Sequence, residues 1–129
     1  MPNLNAIGIV ASDMAASIRF YRAVGLDVPD TPDEGHVDTF LPNGVRFMLD
    51  SEEVMRSFKE DWSRATGNQI SIGFECSSPA EVDEVYGHVT GEGFEGEKEP
   101  WDAFWGQRYA LLRDPDGVEV NLYAPLESA

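Results

Sequence analysis

The chain has 129 residues, and its 9 basic side chains against 24 acidic ones give a net charge of −15. That length suits one domain with a moderate core, and 42% hydrophobic with 11% aromatic residues excludes a disordered tail. So acidic a surface repels nucleic acid and anionic membrane, and no apolar run approaches the roughly 20 residues that cross a bilayer. It would attract a cationic small molecule or a basic protein, or serve solubility alone. The N-terminal "MPNLNAIGIV" lacks a basic block, an apolar block and a cleavage site, so the expected location is cytoplasmic. The single cysteine, Cys76, cannot form an internal disulfide, and its apolar setting "ISIGFEC" marks a core residue rather than a nucleophile.

Taken in chain order, "LNAIGIV" reads as a short apolar strand. "ASDMAASIRFYRAVG" follows as a helix, capped by Ser12 or Asp13, with Met14, Ile18, Tyr21 and Val24 on one stripe and Gly25 at its end. "HVDTF" and "VRFMLD" are strands around the turn "LPNG". "SEEVMRSFKEDWSRATGN", about residues 51–68, is a linker with a short helix, in which Trp62 packs. "ISIGFEC" opens a second series of elements. "SPAEVDEVYGHV" is a helix with a capping box from Ser78 to Glu81 and Pro79 in its first turn; Val82, Val85, Tyr86 and Val89 form its stripe, and His88 lies off it. "FEGEKE" reads as a short strand, and "RYALLR" and "VEVNLY" as two more around the turn "DPDG".

The chain thus repeats a β-α-β-β-β plan, in module one about 1–50 and module two about 69–126. Alternation gives each strand two faces. Val45, Phe47 and Leu49 oppose Arg46, Met48 and Asp50; Ile70, Ile72, Phe74 and Cys76 oppose Ser71, Gly73 and Glu75; Val118, Val120 and Leu122 oppose Glu119, Asn121 and Tyr123. The apolar faces have helices to pack against, and the others are left to line a cleft. Both faces of "RYALLR" are mixed, so its register stays open. The run "PWDAFWG" places Trp101, Phe104 and Trp105 within five residues. Such rings line a ligand, fill a dimer contact or pack on their own sheet.

"SDMAASIRFYRAVGLDVP" together with "GQRYALLRDPDGVEVNLYAP" resembles the vicinal oxygen chelate superfamily, which includes glyoxalase I, extradiol dioxygenases and bleomycin-resistance proteins. The resemblance spans nearly the whole chain. It implies an α+β fold in a single glyoxalase-like domain over residues 1–129, with two βαβββ modules forming a curved mixed sheet and a cleft, usually completed in a homodimer. It also implies a divalent metal held by His or Glu at four strand positions. Carried over here, those positions are Ala6, Met48, Ser71 and Asn121, and none is a His or a carboxylate. His36 and His88 are the chain's two histidines, and no shift of register supplies the pair such a site needs. No metal and no other cofactor is therefore expected.

The resemblance is nearest in style to the metal-free bleomycin-resistance branch, which sequesters a cationic, partly planar drug. It implies a small-molecule binding protein that holds an aromatic or cationic natural product and confers resistance by sequestration. Trp101, Phe104, Trp105 and Tyr109 would form an aromatic wall, with Met48, Phe40, His36, Ser71 and Asn121 lining the rest. No residue is assigned a catalytic role. Two other readings stay open. One is a metal-independent lyase or isomerase using His36, Glu75, Glu119 or Tyr109 as acid–base groups. The other is a dimeric module with a vestigial cleft.

Overall fold

The computed structural model describes residues 1–65 and 69–126. The chain divides into two compact units, residues 1–66 and 67–129. The last residues of the expected linker, 66–68, lie outside the described residues.

The first unit runs β1 (Ala6–Ala11), α1 (Met14–Val24), β2 (His36–Phe40), β3 (Arg46–Ser51) and α2 (Glu52–Phe58). Asp13 caps α1 by accepting from the Ala16 amide at 3.2 Å. Gly25 ends it at φ 123°, a left-handed conformation that suits glycine. The expected stripe of Met14, Ile18, Tyr21 and Val24 is buried, along with Ser17 and Phe20. It packs on β3, where Tyr21 meets the Phe47 ring at 4.8 Å. The sheet order is β1-β3-β2, with β1 parallel and β2 antiparallel to β3.

The expected fourth strand of this module is absent among the described residues, and the segment between α1 and β2 is irregular. It carries Pro29 and Pro32 among four acidic residues, and proline cannot donate to a strand ladder. The turn before β3 forms as expected: the Leu41 amide donates to Val45 O at 2.8 Å, and Asn43 Oδ1 accepts from the Val45 amide. Ser51 caps α2 by accepting from the Val54 amide, yet the helix buries no residue, and Phe58 is exposed. Trp62 is held between the Arg56 and Arg64 guanidinium groups, 5.2 and 5.6 Å from its ring. Arg64 also bonds Glu52 and the Val10 carbonyl, which ties this segment to α2 and β1.

The second unit is complete as β-α-β-β-β: β4 (Ser71–Glu75), α3 (Pro79–Gly91), β5 (Gly96–Ala103), β6 (Gln107–Arg113) and β7 (Glu119–Pro125), in sheet order β4-β7-β6-β5. Ser78 Oγ accepts from the Glu81 amide at 3.1 Å, while the Glu81 carboxylate reaches back to the Ser77 amide. Val82 and Val89 are fully buried as α3 lies across β5, β6 and β7. Ala110 and Leu112 settle the open register of β6, since both are buried on the helix side. The "DPDG" turn is built on Asp114, which is 4% exposed and whose Oδ1 accepts from the Asp116 and Val118 amides at 2.8 Å. Cys76 is buried, as expected, and burial pushes its thiol up to about 11.

The short strand expected over "FEGEKE" extends into the aromatic run. β5 continues through Trp101 to Ala103, and Phe104 and Trp105 form the turn of a β5–β6 hairpin. Gly106, at φ 91°, closes that turn. No helix among the described residues is long and apolar enough to cross a membrane.

Candidate functional site

In each unit a long helix covers part of the sheet: α1 packs on β3, and α3 on β5, β6 and β7. In the first unit the register puts Ala6 beside Arg46, Gly8 beside Met48 and Val10 beside Asp50, while His36, Asp38 and Phe40 pair with Asp50, Met48 and Arg46. Directly paired residues share a face. This face carries a closed polar network. His36 Nδ1 lies 2.5 Å from Asp50 Oδ1, and Arg46 Nη2 lies 3.3 Å from His36 Nε2. Arginine can only donate, so these contacts place the ring proton on Nδ1. Arg46 also binds Asp38 through Nε and Nη2, both at 2.6 Å. That pairing holds the Asp38 carboxyl below its ordinary value. Phe40, at the strand end, is 71% exposed and joins no ring cluster. Met48 reaches across to Gly8, where a Cβ would stand 3.4 Å from its Cε.

In the second unit three cross-strand rows share the open face. Ser71 pairs with Glu119, and Glu119 with Arg113; Gly73 pairs with Asn121, and Asn121 with Leu111; Glu75 pairs with Tyr123, Tyr123 with Tyr109, and Tyr109 with Trp101. The last row is an aromatic ladder. Tyr109 stacks on Tyr123 at 6.0 Å and 26°, and it meets Trp101 at 5.6 Å and Trp105 at 5.3 Å, both edge-on. Lys98 covers one face of Trp101, 4.5 Å from the ring. Trp105 donates from Nε1 to Gln107 Oε1 and stays 48% exposed, while Phe104 is 97% exposed and touches Trp105 alone among the rings.

Asn121 lies beside this ladder and is only 7% exposed. Its Nδ2 donates to Tyr109 Oη at 3.1 Å, and its Oδ1 has no partner. Tyr123 fills the space that a side chain at Gly73 would need, 3.3 Å from where its Cβ would be. Ser71 is exposed at the edge of the sheet. With Gln69, Ile70 and Glu119 it lines a depression of about 120 Å³, too small to enclose a drug-sized molecule.

The expected residues thus fall into separate groups. Trp101, Trp105, Tyr109 and Asn121 converge on one cluster, with Phe104 at its rim and Ser71 at the far edge of the same sheet. His36, Met48 and Phe40 share a sheet face of the first unit. Sequence reasoning did not pick out Tyr123, Lys98 or the Arg46–Asp38–Asp50 network. Alternation had put Tyr123 and Asn121 on one face, and only the cross-strand register adds Tyr109.

The four positions carried over for metal ligands are equivalent by the internal repeat. Ala6 and Ser71 stand two residues before Gly8 and Gly73, and Met48 and Asn121 pair with those glycines. Their side chains are a methyl group with no donor atom, a thioether, a hydroxyl and an amide that already bonds Tyr109. That set does not fit a hard divalent cation. No grouping of three or more His, Cys, Asp or Glu side chains suited to a metal occurs among the described residues.

The family model for the glyoxalase/bleomycin resistance protein/dioxygenase superfamily matches residues 3–122. Among solved structures, a glyoxalase/bleomycin resistance protein/dioxygenase from Nocardioides is 26% identical, with a TM-score of 0.77 over 100% of this chain and 87% of that one. A family enzyme from Burkholderia phytofirmans is 17% identical, with a TM-score of 0.83 over 97% of this chain and 100% of that one. A glyoxalase-related enzyme from Fulvimarina pelagi is 14% identical, at 0.83 over 96% of this chain and 88% of that one. Comparison with curated proteins finds no match.

Proposed function

Because the chain belongs to the glyoxalase/bleomycin resistance protein/dioxygenase superfamily, we propose that it uses the family fold to bind a planar small molecule, without a metal and without turnover. The reading is sequestration of an aromatic or cationic natural product of antibiotic type, by a cytoplasmic homodimer. One observation carries it: an aromatic ladder lies on the sheet face away from α3, beside the buried amide of Asn121. Each ring adds about 0.5–1.5 kcal/mol of stacking beyond area burial. The net charge of −15 adds attraction for a cation. The depression at Ser71 is too small for such a ligand, so the ligand lies on the open face and a second subunit covers it.

Titration of planar drugs against Trp emission, with each ligand followed by mass over hours, tests this reading. Saturable quenching with an unchanged ligand mass is the expected result, and a chemically altered ligand would move the protein to the enzymes. Elemental analysis after exposure to nickel, zinc, manganese and iron should find far less than one ion per chain. One tight ion per chain, lost on changing Asn121 or Ser71, would refute the metal-free reading.

The observation that favours turnover is the His36–Asp50 pair at 2.5 Å, an arrangement that can orient an imidazole base. On that reading His36→Ala abolishes product formation. On the sequestering reading it leaves binding almost unchanged.

A further inference from the structure

Tyr109 Oη accepts the amide proton of Asn121, and we infer that its own hydroxyl proton selects the ligand: the aromatic face takes planar molecules that carry a carbonyl oxygen on the ring edge. This rests on the reading of that face as the binding surface.

A phenol has one proton to give and two lone pairs to fill. The Asn121 Nδ2 proton arrives at 3.1 Å and occupies one lone pair, which turns the O–H away from the amide. Among the described residues no carbonyl or carboxylate accepts from Tyr109 Oη. The hydroxyl is also held in place. Tyr123 stacks on one side of the Tyr109 ring, and Trp101 and Trp105 meet it edge-on. Asn121 is 7% exposed and cannot swing into water to serve another partner. Even its Oδ1 stays without a partner, so the amide is fixed by what surrounds it rather than by full satisfaction of its own atoms.

A fixed donor in an aromatic setting discriminates in a defined direction. A ligand with an acceptor at that point completes the pair. One with a methylene there covers the O–H and leaves it unpaired, which costs more than the bond itself would contribute. The acceptor must reach the O–H beyond the edge of the Tyr109 ring that carries it, so it has to stand at the rim of the ligand and not over its face. A conjugated ring carbonyl meets this condition. An ammonium does not, since it has only protons to offer.

The probes are 9-fluorenone and fluorene, two planar tricycles that differ by a carbonyl against a methylene. Their dissociation constants are read by Trp quenching for the full-length wild type, Tyr109→Phe and Asn121→Ala, with thermal melts confirming that each variant is folded. Wild type should bind fluorenone at least about fivefold more tightly, because fluorene leaves the hydroxyl unpaired. Tyr109→Phe should bring that ratio to about one, chiefly by tightening fluorene, since Phe removes the hydroxyl that fluorene leaves unpaired and keeps the ring contacts. Asn121→Ala should lower the ratio, because the freed hydroxyl then rotates.

Equal wild-type affinities would overturn the inference and leave the aromatic-face reading intact. So would a preference that survives in Tyr109→Phe. Equal affinities are also what the opposite amide orientation would give, with the tyrosine proton spent on Asn121 Oδ1. Failure of both tricycles to bind wild type would overturn both readings together.

Discussion

Phe104 and Trp105 are neighbours at one hairpin turn, and they separate ligand contact from packing. Phe104 is 97% exposed and makes a single ring contact, with Trp105 at 5.1 Å. Removing it forfeits one exposed aromatic pair, so Phe104→Ala should cost no more than about 0.5–1 kcal/mol of stability. Trp105 makes three edge contacts, to Trp101 at 6.1 Å, Phe104 at 5.1 Å and Tyr109 at 5.3 Å, and it bonds Gln107. Three such pairs at about 0.5–1.5 kcal/mol each imply a loss of about 2–4 kcal/mol for Trp105→Ala, below the value for a fully buried Trp because half its surface is already wet. For a planar ligand, Trp105→Ala should weaken binding by about 1–3 kcal/mol, the range for truncating an aromatic anchor. Trp101→Ala should do the same, through loss of the ring that supports Tyr109 and Trp105. Urea unfolding gives the stability terms, and titration by intrinsic Trp or Tyr emission gives the binding terms. Phe104→Ala is the clean probe, because any loss of affinity there cannot come from a collapsed hairpin. If Trp105→Ala loses stability while neither variant loses affinity, the run "PWDAFWG" is packing and the aromatic-face reading fails.

Asp114→Ala should destabilise the second unit by about 1–2 kcal/mol, because two part-buried amide protons lose their acceptor; Asp114→Asn keeps an acceptor oxygen and should lose less. A fall of similar size in both variants would show that charge, not acceptance, holds the turn. Asp38 has its carboxyl lowered by Arg46, so its contribution is fully present above the ordinary value of 3.8 and is lost as pH falls through the depressed folded value. Acid unfolding should therefore lose part of its pH dependence below about pH 4 in Arg46→Met, and an unchanged profile would refute the pairing. Cys76, with its thiol raised to about 11, should resist a thiol reagent at pH 8 until the chain unfolds. Rapid labelling of the native protein would contradict its burial.

Much of the fold is legible because each element carries its own punctuation. Asp13 and Gly25 bound α1, Ser78, Pro79 and Glu81 start α3, and alternation in "VRFMLD" and "VEVNLY" separates core from open face. What fails is the inference from one half to the other. The repeat suggests a fourth strand in the first unit, but Pro29 and Pro32 interrupt the stretch between α1 and β2. The second misreading has the opposite cause. Trp101 lies after Pro100 in a stretch rich in charge, so "KEPWDA" lacks alternation and reads as a loop. It pairs with β6 all the same, through shifts of register between Gly96 and Lys98 and between Lys98 and Trp101. Irregular pairing of that kind leaves no period for the eye to follow.

The candidate site divides along the same line, between contacts fixed by local turns and contacts fixed by crossovers. Leu41 bonds Val45 across the first hairpin, and counting outward from that pair sets Phe40 against Arg46, Asp38 against Met48 and His36 against Asp50. The His36–Asp50 contact was thus derivable from the turn "LPNG" alone. The "DPDG" turn likewise sets Arg113 against Glu119, and four residues further out Tyr109 meets Tyr123. No such counting reaches Gly73. β4 joins β7 in parallel across α3, β5 and β6, and the register of a parallel pair is set by tertiary packing rather than by any turn. That pairing brings Gly73 to Asn121 and lets Tyr123 lean into the space the glycine leaves, against which Tyr109 then stacks. Residue types in sequence show neither His nor carboxylate at the four positions that the resemblance assigns to metal ligands. Only the folded register shows what surrounds one of them, Asn121: its amide donates to a tyrosine, and that tyrosine's own proton is the one proposed to meet the ligand.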